Sequence, residues 1–123
     1  RQAKVVILGI TFKENTPDTR NSKVVDIIDS LRDYGIEPIV VDPEADADEA
    51  KHEYDIDLVD IKEVNDADCL VLAVAHNVFK KMSWEDIDNL YGDFESHEKI
   101  IIDVKSILDK KEIEGKGYSY WRL

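Results

Sequence analysis

The chain has 123 residues, of which 43% are hydrophobic, and this is enough for one domain that buries its own core. Its 28 acidic and 16 basic residues give a formal net charge of −12, which disfavours nucleic acid and anionic membranes as partners. No apolar run approaches the roughly 20 residues that cross a bilayer, and the first residues lack a signal-peptide core. We therefore expect a soluble, cytoplasmic protein.

The first third of the chain is typical of a strand, a long loop and a helix. The apolar run over residues 4–10 predicts a buried parallel strand. A polar loop over residues 11–22 follows, after which apolar residues recur at helical spacing. Asn21 or Ser22 is the expected N-cap of this helix, and Gly35 is its expected end.

The middle of the chain predicts two further strands separated by short helices. Residues 38–41 and 69–75 are the apolar segments, and residues 45–54 and 59–64 favour helical turns between them. The single cysteine, Cys69, excludes an internal disulfide. Because it begins the most apolar strand, we expect a buried and unreactive thiol.

The last third continues the alternation of helices and strands. Ser83 is a natural N-cap for a helix that Gly92 would end, and residues 100–104 and 118–121 predict the last strands. Strands that alternate with helices indicate βαβ units with right-handed crossovers. The predicted fold is therefore α/β: a doubly wound, mainly parallel Rossmann-like sheet of five or six strands with helices on both faces.

The loop over residues 11–22 is the most informative candidate site. Ligands of such sheets bind beyond the carboxyl ends of the strands, where this loop lies. It lacks the Gly-x-Gly-x-x-Gly fingerprint, since only Gly9 is present. Lys13 and Arg20, just before a helix N-terminus, are instead suited to a phosphate, and Asp18 is placed to orient Arg20. An ordinary surface loop with two cations is the competing interpretation.

Other candidates remain open or are disfavoured. His76 follows the third strand at the ligand edge, and it either contacts a nucleotide or forms local hydrogen bonds. No set of His, Cys or carboxylate residues has the spacing of a metal site. A response-regulator receiver would need an acidic pair after the first strand, and the chain has Thr11, Phe12 and Lys13 there.

One family shares the order and spacing of these features. Residues 9–22 read GITFKENTPDTRNS and are followed by a helix, a strand and Asp42-Pro43. This pattern resembles the C-terminal domain of the UDP-glucose/GDP-mannose dehydrogenase family. Residues 73–76 (AVAH) and 120–123 (YWRL) resemble the branch that oxidises UDP-N-acetylhexosamines.

The resemblance implies roles for individual residues. Three of them would bind the substrate: Phe12, Lys13 and Arg122. Arg20 would bind the NAD cofactor, because a delocalised guanidinium suits a pyrophosphate. Supporting positions in the same motif are Asp18, Thr16 and Ser22.

The resemblance also implies that residues 1–123 form one UDP-sugar-binding domain of a larger enzyme, which would be a homodimer or a higher homo-oligomer. Such enzymes oxidise the sugar C6 alcohol to a carboxylate with two NAD, and a central domain supplies their catalytic cysteine. Cys69 does not lie in that motif, so no catalytic residue is expected in this chain, and by itself it is expected to be inactive. The alternative is a stand-alone nucleotide-binding regulatory module.

Overall fold

The computed structural model describes residues 3–20 and 22–122 of the chain, and it confirms the predicted parallel sheet. Five strands lie in the order β2-β1-β3-β4-β5, and every neighbouring pair is parallel. The strands are β1 (Val5–Leu8), β2 (Ile39–Val41), β3 (Cys69–Leu72), β4 (Ile100–Asp103) and β5 (Ser119–Arg122). β1 and β3 end before the predicted limits, so the residues that follow them are free to form loops at the carboxyl edge.

Five helices connect the strands, and two of them were not predicted. They are α1 (Val24–Asp33), α2 (Ala47–Tyr54), α3 (Asn77–Lys80), α4 (Trp84–Asp88) and α5 (Lys110–Gly115). The sequence pattern did not predict α3 or α5, because each is short and has one buried residue, Phe79 or Ile113. None of the helices in the described residues has the length and apolar character needed to cross a bilayer.

The ends of α1 differ in how well the sequence predicted them. The predicted cap Asn21 lies outside the described residues, and the structural N-cap is Lys23, without a side-chain hydrogen bond. The hydroxyl of Ser22 instead accepts a hydrogen bond from the Val24 amide at 3.2 Å. Gly35 is confirmed as the end, since its φ is +78° and its amide donates to the Arg32 carbonyl at 2.9 Å.

The helix predicted after Ser83 begins as expected and ends early. Ser83 and Asp86 form a capping box, which confirms the N-cap. The helix stops at Asp88 and not at Gly92, because the chain turns to pair with residues before β3: the Ala67 amide donates to the Leu90 carbonyl at 3.0 Å. A similar contraction affects residues 59–64, where only one 3-10 turn forms.

Helices pack on both faces of the sheet, as predicted, and each face has its own core. Side chains alternate along β1, so Val6 and Leu8 pack on the face covered by α4 and α5. Val5 and Ile7 pack on the opposite face, against Ile28 and the rest of the apolar side of α1. Both faces of the sheet are therefore buried, as parallel strands require.

Cys69 belongs to the second of these cores. Its side chain is buried, and burial raises the pKa of its thiol to about 11. The thiolate is the reactive form of cysteine, so this residue is inert near neutral pH. The expectation of a structural cysteine is confirmed.

Gly9 is the turn at which β1 gives way to the first loop. Its φ is +103°, a region that side chains other than glycine rarely adopt. A Cβ at this position would lie 2.6 Å from the Cβ of Val74, which follows β3. The absence of a side chain thus allows the two segments at the carboxyl edge to approach each other.

We predict that Gly9→Ala lowers the free energy of unfolding by about 2–4 kcal/mol, because backbone strain and the clash with Val74 add. Gly115→Ala is the matched control, since a Cβ there has no neighbour within 4 Å. It should leave the unfolding free energy unchanged or raise it by up to about 1 kcal/mol. Urea unfolding of both variants measures this, and equal effects would contradict the prediction.

Candidate functional site

The candidate site lies at the carboxyl edge of the sheet, between β1 and β3. β2 is the neighbour of β1 on one side, and β3 is its neighbour on the other. The connections that leave β1 and β3 therefore run in opposite directions along the sheet. Such a switch point leaves a crevice beyond the strand ends. The described residues of the β1–α1 loop, 9–20 and 22–23, border this crevice together with the segments that follow β2, β3 and β4.

A buried carboxylate joins the segments after β1 and β2. The side chain of Asp42 is fully buried. Its Oδ2 accepts hydrogen bonds from the amides of Ile10 at 2.7 Å and Thr11 at 3.3 Å. Its Oδ1 accepts from the amides of Glu44 at 2.9 Å and Ala45 at 3.1 Å. Four backbone donors thus surround one charge that has no access to water.

His76 extends this network to the segment after β3. Its side chain is fully buried, and its Nε2 lies 3.0 Å from Asp42 Oδ2 and 3.2 Å from Thr11 Oγ1. Its Nδ1 accepts a hydrogen bond from the Asn15 amide at 2.7 Å. Of the two interpretations of His76, the structure supports local hydrogen bonding.

The same network sets the ionisation of Asp42. Burial alone would raise the pKa of Asp42, but hydrogen bonds from His76 and from the Ile10 and Glu44 amides outweigh it. The pKa of Asp42 is therefore lowered from its usual value. A carboxylate that stays ionised can hold all of its donors over a wide range of pH.

The second half of the β1–α1 loop is fastened to α2. Thr19 is fully buried, and both its amide and its hydroxyl donate to Glu49 Oε1, at 2.7 and 2.6 Å. The Tyr54 hydroxyl donates to the Thr19 carbonyl at 2.7 Å. Asn15 and Thr19 are thus two of the points at which the loop is attached, and a third is the Pro17 carbonyl, which accepts from the Asp46 amide at 3.0 Å.

Arg20 follows Thr19 and pairs with Asp18. Its Nε and Nη2 donate to the two carboxylate oxygens of Asp18, at 3.0 and 3.2 Å. This hydrogen bonding with Arg20 lowers the pKa of Asp18. The Arg20 side chain is 70% exposed, so the pair orients the guanidinium while leaving it open to solvent.

Phe12 and Lys13 occupy the exposed turn between β1 and Asn15. Phe12 is 49% exposed, and the Lys13 ammonium lies 5.9 Å from the centre of its ring. The hydroxyl of Thr16 donates to the Lys13 carbonyl at 3.2 Å, which tightens the turn. Ser22, the remaining motif residue, is buried, and its hydroxyl accepts a hydrogen bond from the Val24 amide at the start of α1.

A cavity of about 220 Å³ opens beside this turn at the strand ends. Phe12, Val74 and Val104 form part of its apolar wall. Lys23 and Lys105 supply two positive charges to the cavity, and Glu14 supplies one negative charge. Sequence reasoning did not single out these two lysines. Their positions, at the start of α1 and directly after β4, were the available signal, because both places face the carboxyl edge of a parallel sheet.

Arg122 lies at the same edge of the sheet but away from the loop. It ends β5, which is separated from β1 by β3 and β4, a distance of about 14 Å at the usual strand spacing. Its Nε donates to the Tyr120 hydroxyl at 2.6 Å and its Nη2 to the Leu108 carbonyl at 2.9 Å. The structure therefore brings together the predicted residues of the β1–α1 loop and leaves Arg122 apart.

No group of three or more His, Cys, Asp or Glu side chains in residues 3–20 and 22–122 could hold a metal ion. The chemistry that the described edge offers is that of cations and an aromatic ring beside a small cavity. These groups suit a phosphate-bearing ligand with a planar or apolar part.

Comparison with known proteins agrees with the motif of the β1–α1 loop. The model of the UDP-glucose/GDP-mannose dehydrogenase family, UDP binding domain, matches residues 6–110. The chain belongs to this family. The match includes the β1–α1 loop, the segments after β2 and β3, and the segment that contains Lys105.

Several characterised relatives are similar over nearly the whole chain. The protein CapL of Staphylococcus aureus is 40% identical over 121 residues, which cover 98% of this chain and 27% of CapL. The UDP-N-acetyl-D-glucosamine 6-dehydrogenase of Pseudomonas aeruginosa is 44% identical over 108 residues, 88% of this chain and 25% of that enzyme. The chain thus spans about a quarter of the relatives it matches.

Solved structures agree with the fold. The UDP-D-ManNAc dehydrogenase of Pyrococcus horikoshii is 26% identical with a TM-score of 0.68, and the match covers 98% of this chain and 25% of that one. A dehydrogenase of NDP-N-acetyl-D-galactosaminuronic acid from Methanosarcina mazei Go1 has a TM-score of 0.80 at 21% identity, over 98% and 24% of the two chains. The second likeness concerns the fold alone, and both confirm the Rossmann-like α/β class.

We predict that Asp42→Asn lowers the free energy of unfolding by about 3 kcal/mol near neutral pH, because the new amide group faces backbone donors. The folded pKa of Asp42 lies below its unfolded value of about 3.9. The ionised Asp42 side chain therefore contributes fully to stability at pH values above the unfolded pKa, and this contribution is lost as the pH falls through the folded pKa.

The difference in the free energy of unfolding between the unaltered protein and Asp42→Asn should consequently become smaller below a pH of about 4. Urea unfolding at a series of pH values measures it, with Asp48→Asn, an exposed position on α2, as the matched control. A difference that stays constant down to a pH of about 2 would contradict the prediction.

Proposed function

We propose that the chain is the UDP-sugar-binding domain of an NAD-dependent UDP-sugar 6-dehydrogenase. The observation that carries the proposal is the family match over residues 6–110, which coincides with a cationic, aromatic-lined crevice at the switch point. The larger enzyme would oxidise the C6 alcohol of the sugar to a carboxylate, and the four electrons would go to two NAD. This domain would close over the nucleotide sugar, and other parts of the enzyme would supply the catalytic groups.

Charge supports a role for the crevice in binding an anion. The chain has a formal net charge of −12, so an anionic ligand needs a local group of cations to overcome repulsion. Lys13 on the exposed turn and Lys23 and Lys105 at the cavity provide such a group. We assign Phe12 and Lys13 to the UDP-sugar and place the two cavity lysines beside its diphosphate.

Arg20 is the proposed contact to NAD. NAD supplies the hydride acceptor when it is bound, and in our proposal most of its binding site belongs to other parts of the enzyme, which agrees with a β1–α1 loop that has only Gly9 of a Gly-x-Gly-x-x-Gly motif. Asp18 occupies Nε and Nη2 of Arg20, which leaves the outer face of an exposed, always-charged group for a pyrophosphate. Asp18, Thr16 and Ser22 support this loop conformation and do not contact ligand themselves in our proposal.

Arg122 enters the proposal as a contact near the uridine. Its position, three strands from β1 on the same edge, requires a ligand that extends along the sheet. A nucleotide sugar is elongated in this way. Tyr120 and Leu108 hold the guanidinium at the end of β5, so it is already oriented.

The names of the relatives favour an N-acetylated sugar. Two of them are UDP-N-acetyl-D-glucosamine 6-dehydrogenases, and the relative from Methanococcus vannielii, 36% identical over 115 residues, is a UDP-N-acetyl-D-mannosamine dehydrogenase. We therefore propose a UDP-N-acetylhexosamine as substrate, a cytoplasmic location, a homodimer or larger homo-oligomer, and a product used in polysaccharide synthesis.

The test is to express the full polypeptide that its gene encodes and to follow NADH absorbance with single UDP-sugars. Activity with a UDP-N-acetylhexosamine, at two NADH per sugar oxidised, is the expected result. Binding of UDP without any NADH formation would favour the stand-alone nucleotide-binding module. The absence of both would overturn the proposed function.

We predict that Arg20→Ala weakens the use of NAD by about 1–3 kcal/mol in kcat/KM, or roughly 5- to 150-fold, because a charged hydrogen bond is lost. Arg20→Lys should recover part of this loss, since it keeps the charge but not the fork. Arg32→Ala removes a comparable bidentate pair, with Glu37, at the far end of α1 and is the matched control. Unchanged kinetics in Arg20→Ala would remove Arg20 from the site.

The corresponding prediction for the sugar side concerns Lys13→Ala, which should weaken UDP binding by about 1–3 kcal/mol because a charged contact to phosphate is lost. Calorimetric titration with UDP measures the dissociation constant. Lys62→Ala, at an exposed lysine in the 3-10 turn, changes the net charge equally and is expected to leave binding unaltered. Equal losses in both variants would indicate a general charge effect instead of a contact.

A further inference from the structure

His76 is a buried, ionisable side chain for which the proposed function gives no role. Its exposed fraction is 0%, and the two nitrogens of its ring lie within hydrogen-bonding distance of Asp42, Thr11 and Asn15. Polar groups are costly to bury without hydrogen-bond partners. A buried imidazole with both nitrogens hydrogen-bonded therefore links the segments that it contacts in a specific geometry. The two nitrogens reach different segments of the candidate site.

The hydrogen bonds determine which nitrogen of His76 carries the proton. Nδ1 lies 2.7 Å from the backbone nitrogen of Asn15, which can only donate, so Nδ1 has to be the acceptor. The proton is therefore on Nε2, which donates to Asp42 Oδ2 at 3.0 Å. The imidazole is neutral, and it connects a fixed carboxylate to one amide of the exposed turn.

That amide is one of several points that hold the turn, and the Phe12 amide, which donates to the Asp18 carbonyl at 2.9 Å, is another. Asn15 has a φ of +61°, in the left-handed region, and its side-chain oxygen accepts a hydrogen bond from the Asn77 amide at 2.8 Å. The Thr11 hydroxyl, beside the imidazole, donates to the Lys13 carbonyl at 2.7 Å. The backbone on either side of Lys13 is thus held from within the protein.

Phe12 and Lys13 are exposed side chains on this turn. Phe12 is 49% exposed, and the ammonium of Lys13 lies 5.9 Å from the centre of its ring. The location of Phe12 at the cavity, and that of Lys13 beside it in the chain, therefore depends on the backbone of the turn. A turn released from Asn15 would spend less time in the conformation that presents them.

We propose that His76 is a positioning residue, whose neutral imidazole holds the turn carrying Phe12 and Lys13 in the conformation that binds the nucleotide sugar. The inference rests on the proposed function, because it concerns the same ligand. It adds that binding depends on the Nδ1 bond to Asn15 in particular. The Nε2 bond to Asp42 mainly stabilises the fold, since four backbone amides hold the same carboxylate.

Two substitutions separate these two bonds. In His76→Asn, the amide oxygen takes the place of Nδ1 and can accept from Asn15, while the donor to Asp42 is lost. In His76→Gln, the longer amide places a donor near the position of Nε2, while the acceptor for Asn15 is lost. If His76 served stability alone, the variant that loses more stability would also lose more affinity for the ligand.

The experiment uses the full polypeptide that its gene encodes, with UDP as the probe. Calorimetric titration gives the dissociation constant, and hydrogen–deuterium exchange reports on the turn at residues 11–16 and on the strand at residues 5–8. We expect His76→Gln to raise the dissociation constant about tenfold, the effect of one lost hydrogen bond, and to speed exchange in the turn. We expect His76→Asn to bind within about twofold of the unaltered protein and to speed exchange in the strand.

His97→Gln is the matched control, because His97 is exposed in the turn before β4, at the opposite edge of the sheet. It should change neither quantity. If the unaltered protein binds UDP and His76→Gln binds it equally well, the positioning role is overturned and the proposed function stands. Weaker binding in His76→Asn than in His76→Gln also overturns the positioning role. If the unaltered protein does not bind UDP, this inference fails, and the proposed function fails with it when NADH formation with UDP-sugars is also absent.

Discussion

The carboxylate of Asp42 is the group on which the ligand edge of this domain depends. It is fully buried, yet backbone amides from the segments after β1 and β2 donate to it, and His76 adds the segment after β3. A buried charge is costly unless donors replace its water, so these segments have to converge on it. The convergence places the strand ends around one crevice, and the close approach at Gly9 makes it possible.

The groups proposed to touch ligand are exposed, whereas Asp42, His76 and Thr19, which hold the loop that carries several of them, are buried. Asn15 and Thr19 attach the β1–α1 loop to His76 and to Glu49, and Phe12, Lys13 and Arg20 lie close to these points in the chain. Such an arrangement lowers the conformational entropy that binding would otherwise have to remove.

Local patterns in the sequence predicted most of the framework. Apolar runs marked all five strands, Gly35 marked the end of α1, and Ser83 marked the start of α4, because each of these depends on neighbours within a few residues. The burial of Cys69 followed from its apolar strand. The spacing of residues 9–22 indicated the family, which the family model then confirmed.

By itself, then, the sequence determined the α/β class, the strands and the loop that carries the candidate site. Only the tertiary structure decided which distant residues meet: that Asp42 and His76 share a hydrogen bond, that Lys23 and Lys105 border one cavity, and that Arg122 lies three strands away. The physical reason is one of range. Periodicity and capping act within a few residues, whereas these contacts join residues 30 or more positions apart and follow from the strand order β2-β1-β3-β4-β5.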